Sequence, residues 1–143
     1  MRDIKFRAYR KSTQNVCDVL SIDFEKGWVL LDDGDEEDIS TVELMQYTGL
    51  HDKNGKGIYE GDILKVTLLL EDNNGGSYMA PVKWFGNPDE YPDNNYPAFD
   101  LDNIPAPWIY DANALSTIMN SGHETCEVVG NVYENKDLLE KKF

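Results

Sequence analysis

The stretch LMQYTGLHDKNGKGIYEGDILKV, residues 44–66, decides the fold of this chain. A polar segment separates two apolar runs, and its Asn54-Gly55 pair is a frequent turn signal because both residues tolerate positive φ angles. Gly61-Asp62 then opens a run in which apolar and polar residues alternate, which is the period of a half-buried strand. The polar segment holds no group with obvious catalytic reach. The stretch therefore predicts strands joined by turns, and it indicates architecture more than chemistry.

The rest of the chain repeats this pattern of short alternating runs. Strands are predicted at residues 4–9, 15–24, 28–31, 63–70, 78–85 and 124–133, and short helical segments at residues 113–120 and 135–140. Residues 39–47 are predicted to form either a strand or a short turn of helix. Many short strands separated by turns are typical of a small barrel or sandwich. The run Tyr59–Val66 is similar to the first strand of many SH3-like barrels. We predict a mainly β fold, either a small SH3-like barrel or a β-sandwich, with extra strands and one or two short helices.

A proline-rich excursion at about residues 86–112 interrupts the β pattern. Proline lacks a backbone N–H, so its five prolines break regular elements, and we expect a long surface segment. Acidic residues alternate there with five aromatic residues: Tyr91, Tyr96, Phe99, Trp108 and Tyr110. Because Tyr and Trp often anchor protein interfaces, these five form a predicted interaction surface. The alternative is that their rings plug the ends of a small barrel.

Length and composition indicate one cytoplasmic domain. A chain of 143 residues suits a single domain, residues 1–143, and such a domain buries about two-thirds of its unfolded surface without a disulfide or a metal. Uncharged apolar runs such as Thr67–Leu70 are far shorter than the roughly 20 residues that span a membrane. The N-terminus lacks the apolar segment of a secretory signal. We therefore expect a protein of the cytoplasm that has no membrane partner.

The net charge of −14 is the strongest compositional signal. Residues 1–11 hold five basic residues and one acid, whereas the remainder holds eight basic and 26 acidic residues. No Lys or Arg occurs between Lys83 and Lys136. Such a body repels phosphate backbones, which disfavours direct nucleic-acid binding through a basic face. A plain explanation also exists, since high charge keeps a protein soluble.

The turn after His51 partly resembles a calcium-binding loop. Asp52, Asn54 and Gly57 match part of the EF-hand spacing, but Lys56 occupies a ligand position and Ile63 stands where a bidentate Glu is required. A cationic group inside the ligand ring excludes this site. The acidic run at residues 32–38 has no spacing that gathers its oxygens around one point, and we expect an exposed loop there.

The histidines and cysteines also fall short of a reactive site. His123 and Cys126 supply half of a zinc set, and nothing in the sequence brings Cys17 or His51 beside them. A nucleophilic pair of Cys126 and His123 is disfavoured, because residues three apart on a strand face opposite sides. We interpret both cysteines as buried hydrophobic groups. The prediction is no cofactor, no metal and no catalytic residue.

Three blocks of sequence together resemble a known family. The blocks are Lys5–Tyr9, residues 44–66 and Val129–Asn135. In this order they resemble the YopX proteins of bacteriophages and prophages of Gram-positive bacteria, along nearly the whole chain. The resemblance implies a structural motif at Tyr47, Gly49, Asp52, Asn54, Gly55, Tyr59, Glu60, Gly61, Asp62, Gly130, Asn131 and Tyr133. It implies no established activity, and residues 86–112 are where the chain resembles the family least.

We predict a phage- or prophage-encoded accessory protein that acts in the host cytoplasm by binding an unknown protein partner, not by catalysis. One alternative is an acidic mimic of nucleic acid that occupies a DNA- or RNA-binding protein. A second alternative is a hydrolase with no recognisable motif. We also predict a homo-oligomer, because a basic N-terminal edge strand would pair with an acidic neighbouring subunit. In the rival hypothesis, residues 1–11 fold back onto their own domain.

Overall fold

The structure, a computed structural model, is mainly β and contains two antiparallel sheets. It describes residues 3–68, 76–85, 98–102, 115 and 124–140. The strands described are β1 (Phe6–Arg10), β2 (Asn15–Asp23), β3 (Trp28–Leu31), β4 (Glu36–Asp38), β5 (Val42–His51), β6 (Gly57–Tyr59), β7 (Asp62–Leu68), β8 (Ser77–Phe85), β9 (Ala98–Leu101) and β10 (Glu124–Asn131). A 3₁₀ helix spans Ile39–Thr41 and an α-helix, α1, spans Asp137–Glu140. The predicted mainly β class with short helices is confirmed.

The first sheet has six strands in the order β4-β3-β2-β1-β5-β6. β1 pairs antiparallel with both β2 and β5, so it lies inside the sheet. The interpretation of β1 as an edge strand was therefore wrong. Alternating apolar and basic residues show that a strand has one buried face, but they do not show how many neighbours it has. Ala8 of β1 packs with Val29, Leu31 and Val42 in the core of this sheet.

The second sheet has four strands in the order β10-β7-β8-β9. β10 pairs with β7 along its whole length, and the register shifts between Val128 and Gly130. On the other side, β8 pairs with β9, which lies inside the proline-rich excursion. We did not predict β9, because a four-residue run between prolines is too short to show a period. β9 is an extended strand because its backbone pairs with β8.

The two sheets share part of one core. Ile58 of β6, in the first sheet, packs within a cluster formed by the second sheet, which includes Leu64, Val66, Tyr78 and Val82. Both sheets are open, and the described residues form no closed barrel. The predicted SH3-like closure is thus absent from this part of the chain. The extra strands β1–β4 instead extend one sheet beyond the shared core.

The acidic run at residues 32–38 is more ordered than predicted, because Arg10 forms ion pairs with three of its acidic side chains. Arg10 is almost fully buried, and its guanidinium lies 2.6 Å from Asp33 Oδ2, 3.1 Å from Asp35 Oδ2 and 2.8 Å from Glu37 Oε1. The end of the run forms β4, which pairs with β3. The run is exposed as expected, apart from the half-buried Glu37, but only the part before β4 is a loop. The positive charge that this run lacks locally comes from Arg10, which is more than 20 positions away in the chain.

The segments around β10 add little helix. Only Leu115 of the predicted helix at residues 113–120 is among the described residues, where it is helical and buried. The side chain of Asn135 accepts a hydrogen bond from the Asn131 N–H at 3.1 Å, and thus turns back toward β10. Among the helices that the structure describes, none has the length and apolarity to cross a membrane.

Candidate functional site

The three sequence blocks meet where the two sheets join, at a contact that we call the seam: Arg7, Asp52, Gly61, Asp62 and Asn131. Asp62 Oδ2 accepts a hydrogen bond from the Tyr59 N–H at 2.8 Å, and Oδ1 contacts the Arg7 guanidinium. The guanidinium also lies over the Tyr59 ring, 4.6 Å from its centroid. Burial raises the pKa of the Asp62 carboxyl, and Arg7 offsets part of this rise.

Asp52 ties the turn between β5 and β6 to the second sheet. Its Oδ1 accepts hydrogen bonds from the N–H groups of Asn54 and Lys56, and its Oδ2 accepts one from Val128 N–H, each at 2.9 Å. Burial disfavours the Asp52 carboxylate, but these three donors outweigh it and lower the pKa. Both oxygens are thus directed at backbone donors. The partial EF-hand pattern is therefore explained by an Asp-centred turn.

Gly61 allows the backbone to turn into β7 at the seam. Its φ angle is +87°, and a Cβ atom built there would lie 3.1 Å from Met45 Sδ. Its N–H donates to the Val82 carbonyl and its own carbonyl accepts from the Val132 N–H, both at 2.8 Å. Only glycine combines this positive φ with such close neighbours at low cost. Gly61 therefore links β8 and the segment after β10 through its backbone.

The block at residues 129–135 closes the seam. Asn131 is buried, and its Oδ1 accepts hydrogen bonds from the N–H groups of Tyr133 and Glu134 at 3.0 and 2.9 Å. The Tyr133 ring stacks on Tyr9 of β1 with centroids 5.0 Å apart. A Cβ at Gly130 would lie 2.6 Å from Asn135 Oδ1. The hydrogen bond from the Asn131 N–H to the Asn135 side chain therefore requires glycine at position 130.

Aromatic residues cover the turn that Asp52 organises. The Tyr47 ring lies 5.4 Å from Tyr59 and 5.8 Å from His51, and its hydroxyl is 3.1 Å from His51 Nε2. A Cβ at Gly57 would lie 3.0 Å from the Tyr47 ring. Gly49 and Gly55 have positive φ angles of +88° and +80°. These motif residues hold one another in place and leave His51 tied to Tyr47.

A cleft of about 560 Å³ opens beside the seam, and we regard it as the candidate functional site. We call it the cleft; its lining residues are Gln46, Thr48, Leu50, Glu60, Trp84, Ala98 and Phe99. This volume lies within the range of about 300–1,000 Å³ that is usual for ligand sites. One wall is aromatic, because the rings of Trp84 and Phe99 meet edge to face with centroids 5.0 Å apart.

The cleft continues the hydrophobic core into solvent. Tyr78, Ala80, Val82 and Trp84 have the same phase along β8, so they share one face of the strand. The first three are buried, whereas Trp84 remains 45% exposed at the end of the row. On β9, Phe99 packs against the core and pairs with Trp84. The cleft is therefore the open end of an apolar layer.

Glu60 supplies the charge of the cleft. It is half-buried, and burial raises the pKa of its carboxyl, while a hydrogen bond from the Gln46 backbone lowers it in part. Among the residues that the structure describes, no lysine or arginine forms an ion pair with it. Within the described part of the chain, the cleft thus contains a carboxylate that has no cationic partner, together with two aromatic rings.

A second cleft, of about 420 Å³, lies on the first sheet and includes Trp28, Lys26, Asp23 and Glu36. Trp28 is 44% exposed, nearly as much as Trp84. This cleft contains a lysine of its own, so its carboxylates have a cation nearby. It provides a matched comparison for the first.

The structure places the predicted interaction surface only in part. Phe99 lines the cleft, whereas Tyr91, Tyr96, Trp108 and Tyr110 lie outside the described residues, as does His123. Trp84 was not predicted as a site residue, although its phase with Tyr78 and Val82 was a usable signal. Glu60 was predicted as part of a structural motif, because no local pattern shows that a carboxylate lacks a cationic partner.

The other candidate groups are unreactive or scattered. Cys17 and Cys126 are buried free thiols, as expected, and burial raises the pKa of Cys126 to about 11. In the described part of the chain, no three His, Cys, Asp or Glu side chains are grouped so that they could hold a metal ion.

Comparisons with known proteins agree with the resemblance in sequence. The model of the family described as YopX protein matches residues 5–140. The crystal structure of protein EF1440 from Enterococcus faecalis is similar, with a TM-score of 0.62 and 20% sequence identity, over 97% of this chain and 99% of that chain. At that identity the likeness concerns the fold alone. No curated protein matches.

Proposed function

The chain belongs to the YopX protein family, and from this premise we propose a phage- or prophage-encoded accessory protein that binds a protein partner in the host cytoplasm. The cleft is the observation that carries the proposal. It joins an exposed tryptophan, a second aromatic ring and an unpaired carboxylate at the open end of the core. Aromatic anchors in a concave patch are typical of the centre of protein interfaces.

Three features favour binding over catalysis. Asp52 and Asp62, the most buried carboxylates among the described residues, direct their oxygens at backbone donors or Arg7. With a pKa of about 11, the Cys126 thiol is protonated at neutral pH and is a poor nucleophile. The His51 ring contacts the Tyr47 hydroxyl. These groups are engaged in structure, so the hydrolase alternative gains no support from them.

The proposal is tested by capture from lysate of the bacterial host. Immobilised wild-type protein is expected to retain a partner that Trp84→Ala loses. Trp28→Ala removes a tryptophan of almost equal exposure from the first sheet, so it is the matched control and is expected to retain the partner. Photo-crosslinking from position 98 then checks that the partner touches the cleft. Equal retention by both variants would exclude the cleft as the contact.

The second candidate, an acidic mimic of nucleic acid, is favoured by the net charge of −14 and by the pairing of N-terminal basic residues with acids of the same chain. Arg7 pairs with Asp62, Arg10 with three acids of the acidic run, and Lys11 with Glu43 at 3.2 Å. Outside these pairs the chain still holds 10 basic and 22 acidic residues, so the acidic excess remains. If this candidate holds, the captured protein binds nucleic acid, duplex DNA displaces it from the immobilised chain, and high salt releases it.

Self-association stays a prediction, with a changed contact. Because β1 lies inside the sheet and Arg10 is paired within the chain, the predicted pairing of an N-terminal edge strand cannot supply it. An oligomer must use another edge or the exposed apolar side chains. Light scattering at low salt is expected to show a mass that rises with concentration. A concentration-independent monomer would contradict self-association.

A further inference from the structure

The cleft has the chemistry to recognise one kind of side chain. We propose that it binds an arginine side chain in an exposed basic segment of the partner, with the guanidinium between the Trp84–Phe99 wall and the Glu60 carboxylate. This inference rests on the proposed function, since it names what the partner presents. It concerns charge recognition, which the proposed function does not require.

The molecule already contains this arrangement once, at the seam. There the Arg7 guanidinium lies over the Tyr59 ring and contacts the Asp62 carboxylate, so one cation meets both an aromatic face and an acid. The cleft contains two of these three groups, namely aromatic rings and a carboxylate. That carboxylate, Glu60, lies two positions before Asp62 in the chain. Only the cation is missing from the described residues. A guanidinium from outside would complete the same set.

The part of the chain that follows Lys83 supplies no cation to the cleft as far as residue 135, and Lys83 itself lies 4.0 Å from Asp102. Residues 84–135 contain no Lys or Arg, and this span includes β9, β10 and the connections between them. Glu60 is already partly desolvated, as its raised pKa shows. An incoming cation therefore gains an ion pair without the full cost of dehydrating the carboxylate. The chain's charge of −14 attracts a basic segment to this surface.

Arginine fits this cleft better than lysine. Its planar guanidinium stacks on aromatic faces and carries five N–H donors, whereas an ammonium is a compact, strongly hydrated charge. Glu60 and the side-chain carbonyl of Gln46 are acceptors among the lining residues. The Thr48 hydroxyl donates to the Ile58 carbonyl at 2.7 Å and accepts from the Leu50 N–H at 3.2 Å, so it is already engaged as donor and as acceptor. Recognition therefore falls to the aromatic wall, Glu60 and Gln46.

The test uses the full chain and three short peptides, Ac-Ala-Ala-X-Ala-Ala-NH2, in which X is arginine, lysine or citrulline. Citrulline keeps the shape of arginine and removes its charge. The indole N–H of Trp84, assigned by its loss in Trp84→Phe, is followed by NMR during titration. The arginine peptide is expected to shift this signal with an affinity about tenfold above citrulline, and above lysine by a smaller factor.

Two variants with the same change of charge locate the effect. Glu60→Gln is expected to lower the affinity for the arginine peptide about five- to tenfold and to leave citrulline binding unchanged. Glu25→Gln removes an exposed acid from the turn between β2 and β3, and is expected to change neither. Equal affinity for arginine and citrulline, equal effects of the two variants, or no shift at Trp84 would each overturn the inference.

Failure of this inference is distinguishable from failure of the proposed function. If Trp84→Ala loses the partner captured from lysate but Glu60→Gln retains it, the cleft binds a partner and arginine recognition is wrong. If both variants retain the partner, the cleft is not the contact, and the proposed site is wrong with it. Loss of the partner by both, with retention by Glu25→Gln and Trp28→Ala, supports both proposals.

Discussion

Glu60 and Asp62 flank Gly61 in the chain, yet one belongs to the cleft and the other to the seam. Both carboxyls have a raised pKa because both are buried to some degree. Asp62 has Arg7 and the Tyr59 N–H as partners, whereas Glu60 has no cation among the described residues. The difference teaches that burial alone does not mark a functional acid. What distinguishes Glu60 is that it has no cationic partner among the described residues, and the proposed arginine recognition rests on that difference.

The largest effect is expected at the seam, from Arg7→Met. Removing the guanidinium leaves Asp62 buried without its counter-charge, which costs about 3–5 kcal/mol in the free energy of unfolding. Urea denaturation at pH 7 measures this loss. Adding Asp62→Asn removes the stranded charge while keeping an acceptor for Tyr59, so the double variant is expected to recover much of the stability. No recovery would mean that Arg7 acts mainly by packing.

The next effect is expected from Gly61→Ala, which tests the turn into β7. A side chain at φ +87° introduces backbone strain of about 1–3 kcal/mol, and contact with Met45 adds to it. Gly49→Ala is the matched control, because its φ of +88° is almost identical and its added Cβ meets nothing within 4 Å. Thermal melts compare them. Equal losses would show that crowding against Met45 contributes nothing.

A smaller loss is expected from Asp52→Asn, about 1–2 kcal/mol, because its amide group cannot satisfy all three backbone donors. The lowered pKa of Asp52 adds a pH signature. Its folded pKa lies below the unfolded value, so its contribution is present above the unfolded pKa and is lost as pH falls through the folded pKa. The difference between wild type and variant is expected to shrink on acidification below about pH 4. A constant difference would contradict this assignment.

The smallest effect on stability is expected in the cleft, from Glu60→Gln. We expect a change within about 0.5 kcal/mol, since no internal ion pair is broken. The pH dependence of this contribution is opposite to that of Asp52. Because the folded pKa of Glu60 is raised, its contribution to stability falls as pH rises through the folded pKa. The variant is therefore expected to be equal to or slightly more stable than wild type at pH 7. A large loss would show that Glu60 belongs to the seam.

Several strands followed from local pattern. Alternating residues marked strands such as β1 and β7, and an apolar run after a Gly-containing turn marked β3. Turn residues such as Asn54 and Gly55 marked the loops between strands. The pattern failed where an element is short or lacks a period, as in β4 and β9. Both are held by pairing with a neighbour strand, which is a contact between separate segments and leaves no local trace.

Part of the candidate site could be predicted from the sequence. Phe99 was proposed as an interaction residue from its aromatic character, and the phase of Trp84 with the buried residues of β8 was readable. The cleft itself was not, because it needs β5, β8 and β9 to come together. The unpaired state of Glu60 was equally hidden, since a missing cation is a property of three-dimensional neighbours.

The sequence by itself determined the mainly β class, the family and the strongly acidic charge, since each follows from residue type and local order. Only the tertiary structure decided that β1 is an interior strand, that Arg10 gathers the acidic run, and that Asp52 reaches Val128. The physical reason is that burial and pairing of charge depend on contacts between residues far apart in the chain. Alternation specifies which face of a strand is buried, and the fold determines what meets that face.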